Sequence, residues 1–523
     1  MNMKTFVLPL ALVAMLSACS LAPRYERPTP PVAASYPDSG QAQGASARTA
    51  TEIGWREFFT DARLKKLVEL ALANNRDLRV AVLNIEVARA QYQIQRADLF
   101  PSVDAAASGE RQRTPPSLRQ PGLPTVSSQY SVGASVSAYE LDLFGRVRSL
   151  KDAALASYLG SEETRRSVHI SLVSQVADAY LSAQAFAEQL ELTRQTLTTR
   201  EDAYRIAQQQ FETGTLSAFD LRQSETLVQS ARADLASQTR ARAQAENALV
   251  LLIGQALPAD LPATQPLVMQ GIVTDVPVGL PSDLLERRPD LLQAEQQLKS
   301  ANANIGAARA AFFPQITLTG SYGTASDELS GLFKGGSLSW TFLPQLTLPI
   351  FDAGRNRANL DVAQARKNIA VATYEKAIQT AFREVADGLA ARSTFDQQLG
   401  AQEGLVRAEG ERLGLAQLRY NNGVASYLDL LDAQRELFSA QQNLIQVRLA
   451  RLTNLVDLYK SLGGGWLEQA QASEARPRPQ TSGPSTGTSA PLTDLTITEG
   501  VGTRIVQSGV AQRQSSGGSA AGR

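Results

Sequence analysis

Few residues in this chain could do catalytic chemistry. His169 is the sole histidine and Cys19 the sole cysteine of 523 residues. The sequence holds no metal-ligand cluster, phosphate-cradling glycine loop or nucleophile elbow. Lys334-Gly335-Gly336-Ser337 lacks the upstream glycine spacing of a P-loop. An Asp/Glu pair could hydrolyse a glycoside in principle, but no pocket-forming context marks one. The chemistry on offer is electrostatic. Asp429 and Asp432 are three apart, so they share one face of a helix. Arg419 and Tyr420 stand just before the turn that precedes them, and Asp220 occupies the position equivalent to Asp429 in an earlier, similar turn. The chain reads as a non-enzyme that needs no cofactor.

Cys19 points to a covalent modification. Lys4 supplies a positive start, Phe6 to Leu16 is an apolar run, and Leu16-Ser17-Ala18-Cys19 follows. The run is too short to span a bilayer and suits a signal peptide. Leu-Ser-Ala-Cys resembles a bacterial lipobox, whose cysteine thiol is acylated and becomes the mature N-terminus. Ser20 after it, rather than Asp, favours sorting to the outer membrane by the same resemblance. No later stretch reaches 18 apolar residues, so a membrane-crossing helix is not expected. If this chain crosses a membrane it must do so as a closed β-barrel, because backbone groups need partners in lipid. The 51 basic and 51 acidic residues balance. That removes the electrostatic argument for a nucleic-acid partner.

The elements that carry these residues come in two copies. Phe211 maps to Tyr420, Gly214 to Gly423, Asp220 to Asp429 and Leu252 to Ser461 at one constant spacing. Each copy opens a β-hairpin region after Phe-Pro, at Phe100-Pro101 and Phe313-Pro314. Tyr130, Val132, Ala134, Val136 and Ala138 alternate with small polar residues. So do Ile316, Leu318 and Tyr322, and then Leu338, Trp340 and Phe342, continued by Leu346, Leu348 and Ile350. Val103, Ala105 and Ala107 form a weaker fourth segment. A membrane barrel strand has this pattern, apolar outward and polar toward a wet lumen. A half-buried soluble sheet shares it. The hairpin loops are expected at 111–126 and 323–336.

Long proline-free runs follow. Arg146 to Phe211 and Arg355 to Tyr420 are each expected as one helix of about 100 Å. The return helices Phe219 to Ile253 and Tyr427 to Leu462 are about half as long. Asp61 to Ala97 and Pro281 to Ala311 supply the missing halves. The long helices carry only a thin apolar seam, such as Val173, Val176, Tyr180 and Phe186. That suits a helix wet on two sides, as in a tube wall. The expected organisation is a signal peptide (1–18), a lipidated N-terminus and linker (19–50) and a first repeat (51–257, β-hairpin about 101–143). An inter-repeat linker (258–280), a second repeat (281–468, β-hairpin about 314–350) and a disordered tail (469–523) follow. Four strands cannot enclose a water-filled lumen, so several chains must share one barrel. Two chains give eight strands, which fill their own interior; three give twelve, enough for a pore.

These features meet in one family. Arg419-Tyr420-Asn421-Asn422-Gly423-Val424-Ala425-Ser426-Tyr427-Leu428-Asp429-Leu430-Leu431-Asp432-Ala433-Gln434-Arg435, Leu285-Glu286-Arg287-Arg288-Pro289-Asp290 and Tyr459-Lys460-Ser461-Leu462-Gly463-Gly464-Gly465-Trp466 carry the likeness. The chain resembles TolC-like outer-membrane factors, of the lipidated type that serves resistance-nodulation-division multidrug pumps, over roughly Ala22 to Leu467. The resemblance implies an α+β membrane protein: a homotrimer whose twelve-stranded β-barrel, four strands per chain, continues into a long periplasmic α-helical barrel. It implies an outer-membrane, lipid-anchored exit duct with most of its mass in the periplasm, passively passing drugs or other small toxic molecules outward. A periplasmic adaptor protein and an inner-membrane pump would dock at the pinched tip, the adaptor on Gly214, Thr215, Leu216, Ser217, Gly423, Val424, Ala425 and Ser426. Asp220, Arg419, Tyr420, Leu428, Asp429 and Asp432 would form the periplasmic gate. Asp429 and Asp432 of three chains would set six carboxylates near the constriction, beside an apolar Leu428. Arg419 and Tyr420 would latch the second hairpin to Asp220. The family's arginine just after the tip glycine is Ala425 here. Beyond the covalent lipid on Cys19 and contact with outer-membrane lipid, no cofactor is implied. The alternatives are a lipid-anchored periplasmic coiled-coil scaffold and an outer-membrane component of type I protein secretion.

Overall fold

The computed structural model describes residues 20–37, 50–118, 122, 124–274 and 281–466. The signal peptide, Cys19 and the tail expected at 469–523 lie outside the described residues. All described residues belong to the first of two compact units, Met1–Ala472.

The first repeat contributes α1 (Trp55–Phe58), α2 (Ala62–Asn74), α3 (Arg76–Ala97), β1 (Asp104–Arg113), β2 (Val126–Leu141), α4 (Arg146–Glu212) and α5 (Ala218–Ile253). The second contributes α6 (Pro281–Arg287), α7 (Pro289–Ala310), β3 (Gln315–Ser326), β4 (Leu338–Thr347), α8 (Arg355–Asn421) and α9 (Tyr427–Ser461). Helices α4 and α8 are unbroken and each 67 residues long, about 100 Å at 1.5 Å per residue. Each starts after a left-handed glycine, Gly145 at φ 75° and Gly354 at φ 86°. A carboxylate replaces the missing cap. Asp142 Oδ2 accepts from the Arg148 amide at 2.8 Å, and Asp352 accepts from the Gly354 and Asn356 amides at 3.0 and 2.9 Å.

The two shorter upper helices differ from expectation in the same way. The segment 61–97 was expected as one helix but breaks at Asn75, and 281–311 breaks at Arg288. Asn75 has extended backbone, φ −61° and ψ 133°, and its side chain caps α3 at the Leu78 amide. Pro289 excludes helical geometry for Arg288 and starts α7 in its place. Both joint residues also reach back to a return helix. Asn75 Nδ2 donates to the Leu252 carbonyl at 2.9 Å, and Arg288 Nη1 donates to the Ser461 carbonyl at 3.0 Å. Leu252 and Ser461 are themselves repeat equivalents, so duplication has preserved the joint with different side chains.

The four strands form one antiparallel sheet in the order β1-β2-β3-β4, with β1 and β4 as free edges. Register assigns the faces. Tyr130, Val132 and Ala134 lie across from Gly109, Ala107 and Ala105, and Tyr322 lies across from Trp340. On the opposite face are Ser108 and Ser131, joined Oγ to Oγ at 2.8 Å, with Thr317, Thr319, Ser321, Ser339 and Thr341. Leu343 is an apolar exception on that polar face. Ala138 does not continue the apolar face, as simple alternation would have it. It is the extra residue of a β-bulge between Val136 and Tyr139, with φ 50°. The bulge returns Tyr139 and Leu141 to the apolar face opposite Leu318 and Ile316. The strands also outrun the alternation. β1 extends to Arg113 and β3 to Ser326, so the loops are 114–125 and 327–337, because backbone pairing continues through polar side chains. β4 stops at Thr347, and Leu348 and Ile350 fall beyond it, on either side of Pro349.

Near the sheet, α3 packs on α4, α4 on α7 and α7 on α8. Farther away the row is α5, α4, α9, α8. Apolar burial concentrates between these two levels. There Trp55, Phe58, Leu67, Val176, Leu181, Leu291, Val385 and Leu458 form the core. The seam residues Val173, Val176 and Tyr180 are buried there, and Phe186 is half-buried. Away from that core the outer helices leave apolar side chains in the open: Val80, Leu83, Val87 and Ile94 on α3, and Val362, Ile369, Leu415 and Leu418 on α8. Sheet and helical row therefore both end in unsatisfied edges.

Residues 20–37 run as an extended strap along α7. The Leu21 carbonyl accepts from Arg309, the Pro23 carbonyl from Asn302 at 2.7 Å, and Glu295 accepts from both Tyr25 and Arg27 at 2.9 Å. Ala22 lies against Gly306, where an added Cβ would come within 2.8 Å of it. Tyr36 stacks on Phe382 at the far end.

Candidate functional site at the hairpin tips

The two helical hairpins end alike because their turns obey the same backbone chemistry. Gly214 and Gly423 take φ 76° and 69°, which glycine adopts without a Cβ penalty. In the first tip the Thr215 amide reaches back to the Gln210 carbonyl at 2.9 Å; in the second the Val424 amide reaches the Arg419 carbonyl at 2.9 Å. Ser217 and Ser426 then cap the outgoing helices at the amides of Asp220 and Asp429. Thr215, Val424 and Ser426 are exposed, while Leu216 and Ala425 are half-covered. Phe219 is 72% exposed at the first tip, an apolar residue in the open that sequence reasoning did not single out.

The carboxylates of the expected gate have local partners. Asp429 Oδ2 accepts from the Ser426 hydroxyl at 2.8 Å and the Ser426 amide at 3.0 Å, completing a capping box. Those two bonds hold its carboxyl below the usual carboxylate range. Asp220 accepts from the Ser217 hydroxyl at 2.6 Å. Asp432 pairs with Arg435 at 3.3 Å on the same helix. Leu428 is 41% exposed. Arg419 is exposed and makes no side-chain bond among the described residues.

The expected latch of Arg419 and Tyr420 onto Asp220 is not made within the chain. Ser217 already occupies the Asp220 carboxylate, and Tyr420 faces the last turn of α4. There its hydroxyl donates to Gln210 Oε1 at 3.4 Å. Beside it, Tyr420 packs against Tyr427 with ring centroids 5.3 Å apart, and the Tyr427 and Ser224 hydroxyls lie 3.2 Å apart. The two hairpins of one chain are thus joined at the tip by Tyr420–Gln210 and Tyr427–Ser224. Sequence reasoning missed Gln210, Ser224 and Tyr427. Gln210 was within reach, because it is the repeat equivalent of Arg419.

The sequence profile described as outer membrane efflux protein matches residues 67–255 and again 280–464, once for each repeat. The chain belongs to that family. The probable efflux pump outer membrane protein TtgC of Pseudomonas putida is 52% identical over 468 residues, covering 88% of this chain and 96% of that protein. The outer membrane protein OprJ of Pseudomonas aeruginosa is 51% identical over 475 residues, covering 90% and 98%. Among solved structures, the MtrE outer membrane channel of Neisseria gonorrhoeae in its open state superposes with a TM-score of 0.78 at 45% identity, covering 87% of this chain and all of that one. This family member is an outer-membrane exit duct for efflux, built from two repeats with four strands and a long helical wall per chain. The resemblance to TolC-like outer-membrane factors read from the sequence is confirmed by profile, relatives and structures alike. The paired hairpin tips lie at the end of the wall remote from its sheet.

Proposed function

We propose that three copies of this chain close into one conduit, a twelve-stranded barrel in the outer membrane continued by an α-helical barrel in the periplasm. The observation that carries this is the matched pair of open edges. Strands β1 and β4 lack outer partners, and the apolar stripes on α3 and α8 lack cover, on opposite sides of the same wall. Head-to-tail contact satisfies both at once, and twelve strands give a lumen wide enough for water. In the proposed cycle a periplasmic adaptor meets the tips at Gly214 to Ser217 and Gly423 to Ser426. An inner-membrane pump supplies cargo, and drugs or other small toxic molecules leave passively. No catalytic step, cofactor or nucleic acid enters the scheme. The family name efflux, shared by TtgC, supports this reading over type I protein secretion. The four-stranded sheet counts against a purely helical scaffold.

The gate is proposed at the same tips, with Asp220, Arg419, Tyr420, Leu428, Asp429 and Asp432 around the constriction and the Tyr420 and Tyr427 hydroxyls holding the hairpins together. Changing Tyr420 and Tyr427 together to Phe keeps both rings and removes both hydroxyl links. Single-channel conductance in planar bilayers should rise severalfold; an unchanged value would remove the gate assignment.

A lipid on Cys19 is the proposed anchor. The strap supports it, since Leu21 is held by Arg309 at the end of α7 that leads into β3. A chain starting at residue 19 would thus begin at the membrane end of the rod. Mass spectrometry of the purified mature chain should find Cys19 as its acylated first residue, and a Cys19→Ser variant should lose the added mass. A wild-type chain without that mass would refute the anchor.

A further inference from the structure

The outward face of the sheet changes character near its upper end, and the change lies on one strand. From Ile316 to Ser326, β3 spans ten residue steps of lipid-side and lumen-side alternation. At about 3.4 Å per residue and a tilt of about 40°, that is roughly 26 Å of height, the thickness of a barrel's apolar band. The band is apolar at its lower levels, with Leu141, Ile316 and Leu346, and closes above with Tyr130 across from Ser326. Above Tyr130 the outward positions on β1 are Arg111 and Arg113, in register with Ser128 and Val126. They stand about 5 and 10 Å beyond the band, at headgroup height. Both are exposed, and neither makes an ion pair or side-chain hydrogen bond among the described residues. The residue between them in height is the neutral Gln112, and the acidic residue one step below Arg111, Glu110, projects from the lumen face with Ser108 and Ser131. Glu328, at the end of β3 two strands away, accepts from Ser330.

Two guanidiniums two residues apart, aimed outward and free of acidic partners, match one chemistry. A planar fork of donors binds phosphate oxygens two at a time. We propose that Arg111 and Arg113 form a binding site for phosphate-bearing lipid headgroups of the outer leaflet, one site per chain. The site rests on the outer-membrane duct reading and adds a ligand to it. Ser128 Oγ, beside Arg111 on the same face, is placed to add a neutral donor. Gly109 below is covered by the Tyr130 ring, whose carbons would lie 3.2 Å from an added Cβ, so an acyl chain meets a smooth aromatic surface under the arginines.

The test uses the full-length, delipidated trimer in detergent and two purified probes, a bisphosphorylated glycolipid of the lipid A type and its dephosphorylated form, with binding read by native mass spectrometry. The wild type should retain the phosphorylated probe and release the other. R111Q/R113Q should bind the phosphorylated probe about 25-fold more weakly, taking about fivefold for each arginine near an anionic headgroup. R111K/R113K should keep most of the affinity, and E110Q should keep all of it. Equal binding by wild type and R111Q/R113Q would overturn the site. So would R111Q/R113Q trimers that dissociate without any lipid, since the arginines would then bridge subunits. A wild-type chain that forms no heat-modifiable trimer would instead sink the duct reading, and the site with it.

Discussion

Gly323→Val should abolish most of the assembled channel. Gly323 and Gly133 are register partners on β3 and β2, on the face that carries Ser131 and Ser321. A Cβ built on Gly323 would sit 2.2 Å from the Val132 carbonyl oxygen and 2.5 Å from Gly133 Cα. A Cβ on Gly133 would meet the Tyr322 carbonyl oxygen at 2.6 Å. These neighbours are backbone atoms, so no side chain can swing aside. The two glycines let adjacent strands approach closely on the polar face, as glycine does where a curving sheet brings backbones together. A valine pushes the strands apart and flattens the sheet. The heat-modifiable trimer in membranes should fall roughly tenfold or more, from a steric cost of about 1–3 kcal/mol in each of three chains. Gly335→Val is the control, since nothing lies within 4 Å of its added Cβ. Equal trimer yields for the two variants would show that the close approach does not matter.

Arg288→Ala should be the most damaging change in the helical wall. Arg288 is only 8% exposed. Its guanidinium donates to Asp290 at 2.9 Å, to Glu384 and to the Ser461 carbonyl at 3.0 Å, tying α7, α8 and α9 into one joint. Alanine leaves two carboxylates facing each other and a helix-end carbonyl without a donor. The expected cost is about 2–4 kcal/mol, below that of a fully buried pair because Asp290 and Glu384 stay over a third exposed. Asn75→Ala, at the equivalent joint of the first repeat, removes a neutral donor and a cap and should cost roughly 1–2 kcal/mol. Loss of helical circular dichroism on heating should therefore come much earlier in Arg288→Ala than in Asn75→Ala. Coincident melting curves would mean that the charge network adds nothing. Arg288→Lys should fall between, because a single ammonium cannot reach three acceptors in a fixed plane.

The large architecture was written plainly in the sequence. A constant spacing between copies predicted twin rods, and α4 and α8 are 67 residues each. Proline-free runs and paired tip glycines fixed their ends. Alternation showed which face of each strand is apolar. What stayed hidden depends on contacts between distant segments. The break at Asn75 is stabilised by a carbonyl 177 residues away, which no local pattern announces. The bulge at Ala138 adds one residue to β2, and only the pairing with β3 reveals it. At the tips, residue types were legible but partners were not. Asp220 looks available to Tyr420 in the sequence because residue types alone do not show the hydroxyl of Ser217, three residues earlier, turned onto that carboxylate.

The strap has a mechanical consequence. Its attachments at Arg309, Asn302 and Glu295 follow one another along the axis of α7. A tug on Ser20 along that axis loads them in shear, all together, and does not peel them one by one. Bonds that share a load yield at far higher force than bonds unzipped in turn. With the proposed lipid on Cys19 in place, the rod would hang from this strap through the recoil of a working machine.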